Sequence, residues 1–280
     1  MYIKKINSVS FQGIEGANSH LASKALFPKA KIITCETFEE VFDSVKNGKS
    51  NIGLIPVENS VAGRVAEIHS LMHKTSLKIV GEYFMKIELN LLGIKNTKIK
   101  KIESVRSHIH ALSQCRKFIK KNKLRMIVTA DTALAAKEIS EANNHNESAI
   151  ASKLSANIYN LKILKKNVED SLKNVTRFIL LQKKQIKVNP SKGKILTSLI
   201  FAVNNVPAAL HKALGCFAIN NVNMTKLESY VNETFKNAEF YVDIEGDARD
   251  INVSTALNEI KEYTKFVRIL GSYYADKFRK

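Results

Sequence analysis

The chain has 280 residues, 45% of them hydrophobic and 25% charged. That is too long for one ordinary domain, suits two or three with sizeable cores, and excludes a disordered chain. The formal net charge of +18 brings nucleic acid to mind, but the lysines are spread over every segment with no basic arm. No nucleic-acid partner is expected, and the positive field would equally attract a small polyanion.

In chain order, apolar runs alternate with helical patterns. Strands are predicted at Lys5–Phe11, Lys31–Thr34, Ile52–Val57, Lys78–Leu92, Ile102–Ser104, Arg125–Thr129, Ala149–Ala151 and Thr176–Gln182. Helices are predicted near Ser19–Phe27, Thr37–Asn47, Val61–His73, His110–Lys121, Thr132–Ala142 and Ser152–Ile158. This alternation points to an α/β domain with mainly parallel strands. The polar stretch Gln182–Lys194, with Pro190 and Gly193, reads as a linker. The expected division is a catalytic part at 1–183, a linker at 184–194 and a smaller domain at 195–280.

The smaller domain predicts a strand at Ile195–Val203 and a helix at Pro207–Ile219 with Pro at its first position. A hairpin of Asn223–Val231 and Phe235–Glu245 follows, turning at Asn232–Glu233. A helix at Ile251–Tyr263 and a strand at Phe266–Tyr274 complete a βαββαβ order, the ferredoxin-like unit.

No apolar run approaches the roughly 20 residues of a membrane span, and residues 1–11 read as a strand without a signal-peptide core. Cys35, Cys115 and Cys216 lack metal or disulfide spacing. A cytoplasmic protein with reduced thiols is expected.

In open α/β sheets, ligands bind beyond the carboxyl ends of the strands. Those ends carry Gly13–His20, Glu58–Arg64, Arg106–His110, Ala130–Thr132 and Ser152. Side chains and free helix N–H groups would gather there into a polar, anion-friendly cleft, or the same residues simply cap helices. If Ser107 caps the next helix, Gln114 lies two turns on and shares its face. In Asn174-Val175-Thr176-Arg177-Phe178, alternation puts Thr176 and Phe178 on one face and Arg177 on the other. All three reach one ligand only if the strand begins irregularly; otherwise Arg177 is a surface residue. Gly48-Lys49-Ser50 lacks the first Gly of a P-loop, and Gly13 and Gly16 lack dinucleotide spacing. His69 and His73, at i and i+4, lack the Glu of a zinc helix. No metal site is expected.

These junction motifs, in this order, resemble the prephenate dehydratase family. The resemblance runs through Phe11–His20, Ile55-Pro56-Val57-Glu58-Asn59-Ser60, Ser107-His108, Ala111–Cys115, Asp131-Thr132-Ala133 and Asn174–Phe178. The small domain resembles an ACT regulatory domain through Asn205–Leu210 and Asn223–Ser229. It implies a two-lobed, type II periplasmic-binding-protein-like catalytic domain followed by the ACT domain. With no chorismate mutase bundle before residue 1, the monofunctional form is expected.

The implied reaction turns prephenate into phenylpyruvate, water and carbon dioxide in L-phenylalanine biosynthesis, without a cofactor; arogenate dehydratase and a non-catalytic sensor are the alternatives. By resemblance, Thr176 assists the leaving hydroxyl, Arg177 grips a carboxylate and Phe178 borders the ring. Glu58, Asn59, Ser60, Ser107 and Gln114 would orient the substrate, with Asn18, Ser19 and Thr132 also at the site. His110, where the family often has Gln, is expected to be a simple helix residue. The implied effector is L-phenylalanine, on Ala208, Ala209, Leu210, Asn223, Met224, Leu227, Glu228 and Ser229. Ala208 and Tyr230 depart from the family's Gly and Arg. A homodimer or homotetramer is expected.

Overall fold

The computed structural model describes residues 6–171, 173–231 and 238–279. The chain opens with β1 (Ser8–Gln12), α1 (Asn18–Leu26), β2 (Lys31–Cys35), α2 (Phe38–Lys46) and β3 (Ile52–Asn59). Helix α2 shows why these segments fold locally. Thr37 accepts from the Glu40 backbone N–H, Glu39 and Glu40 complement the helix dipole, and Phe38, Val41, Phe42 and Val45 form its buried stripe. The two-residue β4 (Gly63–Arg64) folds back on β3, and α3 (Glu67–Lys74) leads to β5 (Lys78–Lys86).

The chain then crosses to a second lobe with β6 (Asn90–Gly93), β7 (Ser104–Ser107), α4 (Ile109–Ser113), α5 (Arg116–Lys121), β8 (Arg125–Val128), α6 (Thr132–Ala142), β9 (Glu147–Ala151), α7 (Lys153–Ile158) and β10 (Lys162–Lys165). It returns as β11 (Val175–Gln182). The last part holds β12 (Ile195–Val203), α8 (Ala209–Ile219), β13 (Met224–Val231), β14 (Ala238–Glu245), α9 (Ile251–Glu259) and β15 (Thr264–Tyr274).

Three sheets result. The first lobe has the order β2-β1-β3-β11-β5, the second β10-β6-β9-β7-β8, and the C-terminal unit β13-β14-β12-β15. Parallel pairing holds for β1 with β2 and β3, and for β7 with β8 and β9. The sheets are mixed rather than mainly parallel, because β11 runs antiparallel to β3 and β5, and β6 to β9 and β10. These are the strands through which the chain enters or leaves a lobe.

Several expected elements change. The single strand at Lys78–Leu92 is two strands in two sheets, broken at residues 87–89. Here the outgoing and returning chains lie side by side. Ile87 donates to the Asn174 carbonyl at 2.8 Å, and Val168 to the Leu89 carbonyl at 2.8 Å. The helix expected from Val61 starts only at Glu67, since Gly63, at φ 84°, turns the chain into β4. The helix expected over His110–Lys121 breaks at Gln114 and Cys115. Helix α8 begins after Pro207, behind Ala208 in the left-handed region. β10 went unread, and the turn at Asn232–Glu233 lies outside the described residues. Among the described residues, no helix is long and apolar enough to cross a membrane.

One face of the C-terminal sheet packs on α8 and α9, with Leu199, Phe201 and Val242 against Phe217, Val253 and Leu257. Its other face packs on the first lobe, where Leu196, Ile200, Leu270 and Tyr273 share a core with Ile55, Ile79, Ile179 and Leu181. Strands β11 and β12 are therefore buried on both faces, which is why they read as continuous apolar runs. At the seam the backbones touch: a Cβ on Gly271 would lie 2.1 Å from the Ile79 carbonyl oxygen. Gly271→Ala is expected to push β15 from β5 and lower stability by ~1–3 kcal/mol. A urea midpoint equal to the parent's would refute it.

Candidate functional site

Between the two lobes lies a cleft of about 630 Å³. Its first wall comes from the β1–α1 loop and from β3 and β11; its second comes from α4, Gln114 and the start of α6. The loop is shaped by Gly13 and Gly16, at φ 111° and 96°. It is tied to the other lobe, because Ser152 and Ser155 of that lobe both donate to the Gly16 carbonyl, at 2.8 and 2.9 Å. A side chain at Gly16 would meet the Ser155 hydroxyl at 2.9 Å, so both the φ and the contact require glycine. No side chain caps α1, whereas Asp131 caps α6 and Ser152 caps α7. Asn18 and Ser19 line the cleft at this uncapped helix start, a favourable place for an anion.

Thr176 sits at the centre of a polar chain. Asn59 donates through Nδ2 to Thr176 Oγ1 at 2.9 Å and to Asn174 Oδ1 at 2.7 Å. The amide's orientation is set by its other end, since Asn59 Oδ1 accepts the backbone N–H groups of Val61 at 2.9 Å and Ala62 at 2.8 Å. Asn174 in turn donates to Gln114 Oε1 at 2.5 Å, which carries the chain into the second lobe. Thr176 Oγ1 thus accepts from the protein, and its own O–H remains to donate into the cleft. The donated bond polarises that O–H and makes it a better donor.

Of the expected substrate residues, the structure gathers Thr176, Phe178, Asn59, Gln114, Asn18, Ser19 and Thr132 around this space, with Glu58 at its border. Three others lie elsewhere. Ser107 is fully buried and its hydroxyl donates to the Ile150 carbonyl at 2.6 Å; His108, not Ser107, caps α4. With the helix broken at Gln114, the two-turn argument linking it to Ser107 fails. Ser60 clasps the start of β11, accepting from Val175 N at 2.9 Å and donating to the Lys173 carbonyl at 2.6 Å.

Arg177 points away from the cleft. β11 pairs with β5 in unbroken register from Val175 to Leu180, so alternation holds along it; the register shift between Arg177 and Phe178 is against β3. Its guanidinium bonds Glu82 at 2.8 Å, Asp243 at 2.6 Å and the Tyr273 hydroxyl at 3.0 Å. Glu58, its cross-strand neighbour, is held by Lys226 at 2.8 Å. Burial pushes the Asp243 carboxyl up, but Arg177 and the Ser198 hydroxyl outweigh it and hold the group below its usual range.

Other lining groups went unchosen. Asn174 belonged to a quoted motif. His108 and His110 line the cleft, so His110 is more than a helix residue. Burial lowers His108, with His110 beside it adding to the effect, so its imidazole is neutral at pH 7. Among the described residues, Arg64 is the only Arg or Lys that lines the cleft, and its guanidinium bonds the Ser229 carbonyl at 3.0 Å. The glycine turn before it was the available signal.

The expected effector residues lie on two elements of the C-terminal unit. Asn223, Met224, Leu227, Glu228 and Ser229 run from the turn before β13 along that edge strand, while Ala208, Ala209 and Leu210 open α8. Asn223 bonds Glu245 at 2.9 Å and Met224 packs in the unit's core. Glu228 faces the first lobe, bonded to Lys226 at 3.0 Å, His69 at 3.3 Å and Arg64 at 3.4 Å. His73 likewise meets Glu239 at 3.2 Å, so the two helix histidines serve the seam. No metal-binding cluster occurs among the described residues.

A family model described as prephenate dehydratase matches residues 9–186. The chain is 38% identical over 273 residues to a bifunctional N-acyl-homoserine lactone acylase/prephenate dehydratase of Komagataeibacter europaeus, covering 97% of each. It is 34% identical over 286 residues to arogenate dehydratase/prephenate dehydratase 1, chloroplastic, of Arabidopsis thaliana, covering 97% of this chain and 73% of that one. The prephenate dehydratase of Arthrobacter aurescens, solved in complex with L-Phe, superposes with a TM-score of 0.86 at 26% identity, covering 95% of this chain and 89% of that one.

Proposed function

The chain belongs to the prephenate dehydratase family, and we propose that it converts prephenate to phenylpyruvate in the interlobe cleft, as a step of L-phenylalanine biosynthesis in the cytosol. Prephenate is a dianion whose ring becomes aromatic when the ring carboxylate leaves as carbon dioxide and the ring hydroxyl leaves as hydroxide. The electron pair of the breaking carbon–carbon bond enters the ring, and a proton completes water from the departing hydroxide. The protein has to hold two negative ends and stabilise a developing oxyanion.

The observation that carries the reading is the Thr176 hydroxyl, which accepts from Asn59 and has its own proton free to donate into the cleft. It would donate to the leaving oxygen as charge builds there. Phe178 and the apolar side chains of Ile87 and Leu89 offer a wall for the ring. The uncapped start of α1 is suited to one carboxylate; the Arg64 guanidinium, which bonds the Ser229 carbonyl at 3.0 Å and Glu228 at 3.4 Å, would have to swing from the C-terminal unit to meet the other. Arg64→Ala is expected to raise KM for prephenate roughly 10-fold with a smaller effect on kcat. An unchanged KM would free Arg64 from that role. Formation of phenylpyruvate from prephenate by the purified chain, followed spectroscopically, tests the activity directly; its absence would overturn the reading.

Arogenate is the second substrate to assay. Its ammonium group could meet Glu67 at the cleft border, and the Arabidopsis relative carries both activities in its name. The C-terminal βαββαβ unit would serve as an ACT domain responding to L-phenylalanine between subunits of a dimer or tetramer. The L-Phe complex of the Arthrobacter aurescens protein supports that reading.

A further inference from the structure

The interlobe cleft is not the only sizeable cavity among the described residues. About 770 Å³ opens on the opposite face of β11, between the first lobe and the C-terminal unit. Val175 and Arg177 line it, so it lies directly behind Thr176. One wall is aromatic: Phe84 of β5 and Phe278 near the C-terminus stack with centroids 4.8 Å apart, and the Arg279 guanidinium lies 5.3 Å from the Phe84 centroid.

The charges around this space are unevenly matched. Arg177, Arg279 and Lys226 are each paired with buried or partly buried carboxylates. Lys86 and Lys173 also line the cavity, and among the described residues neither has a carboxylate within ion-pair distance. Both approach the same end, because Lys86 pairs across the ladder with Val175, two residues beyond Lys173. Two uncompensated ammonium groups therefore stand beside a stacked aromatic wall.

We propose that this cavity binds a small aromatic carboxylate lacking an ammonium group, with the carboxylate on Lys86 and Lys173 and the ring against Phe84 and Phe278. An amino acid suits it poorly, since its ammonium would stand beside the two lysines that have no carboxylate partner among the described residues. The site bears on the cleft through one strand. Ser60 binds both the Lys173 carbonyl and the Val175 N–H, and Thr176 is the next residue. Occupancy would therefore act on the start of β11 and on the hydroxyl it presents. Phenylpyruvate is in this ligand class, and naming it as the natural occupant is the one part that rests on the dehydratase reading.

The test is calorimetric titration of the full chain with 3-phenylpropanoate, which needs no turnover. Binding is expected, weakened at least 10-fold in the K86E/K173E double variant and by a similar factor when propanoate, which keeps the charge and loses the ring, replaces the probe. Both lysines are exposed, so the double variant should fold; if it does not, K86Q/K173Q is expected to weaken binding several-fold. No binding at millimolar probe, or equal affinity in parent and variant, would overturn the proposal. A chain that binds the probe in this way yet fails to turn over prephenate would sink the dehydratase reading and leave this site standing.

Discussion

Thr176→Ala is expected to lower kcat by about 10²- to 10⁴-fold and to leave KM within a few-fold, the pattern of a contact made chiefly in the transition state. The geometry explains why no neighbour would substitute. Asn59 has its oxygen occupied by two backbone N–H groups and its nitrogen by Asn174 as well as Thr176. Removing the threonine leaves Asn59 satisfied by Asn174, so the local structure survives and only the cleft-facing O–H is lost. Thr176→Val, which keeps the shape, should fall as far as the alanine variant, and Thr176→Ser should recover much of the rate. Steady-state kinetics beside a thermal melt decide it: a kcat near the parent's in Thr176→Val removes the hydroxyl from the mechanism.

The neighbouring residue should behave in the opposite way. Arg177→Ala is expected to act on stability first, costing about 3–5 kcal/mol, because it leaves carboxylates buried without their partner. The side chains of Glu82 and Asp243 are both fully inaccessible, and Arg279 compensates only Glu82 closely, at 2.6 Å, against 3.7 Å to Asp243. Asp243 is held below its ordinary carboxyl value, so its contribution is present at neutral pH and is lost as pH falls through that lowered value. The gap in stability between parent and variant should accordingly narrow in strong acid. Urea midpoints measured across pH check this. A variant as stable as the parent, with KM raised 10-fold, would instead place the guanidinium in the cleft of the working enzyme and overturn the assignment made here.

The contrast between these two residues marks what local patterning could settle. Period-two alternation in Asn174–Phe178 separated Thr176 from Arg177, and the unbroken register of β11 with β5 over this segment kept that separation. Helix α6 is legible from Asp131, which caps it, to the polar run that ends it at Asn143 in the left-handed region. The βαββαβ order of the last part was readable for the same reason, since each element carries its own period and its own turn residues. Hydrophobic pattern and capping act over a few residues, and a sequence displays them directly.

Tertiary structure decided the rest. The apolar pattern of Lys78–Leu92 carries no sign that its two halves serve different sheets, because burial by either lobe demands the same side chains. Nothing near Ser107 announces that its hydroxyl would be spent on Ile150, 43 residues away, or that His108 would take the cap instead. Arg177 meets Asp243 across 66 residues of sequence and Glu82 across 95. A guanidinium suits a substrate carboxylate and a buried aspartate equally well, and only the packing of the C-terminal sheet on the first lobe selected the second. Residue type and spacing determine which chemistry a side chain can perform; the partner that the fold brings to it over long sequence distances determines which one it performs.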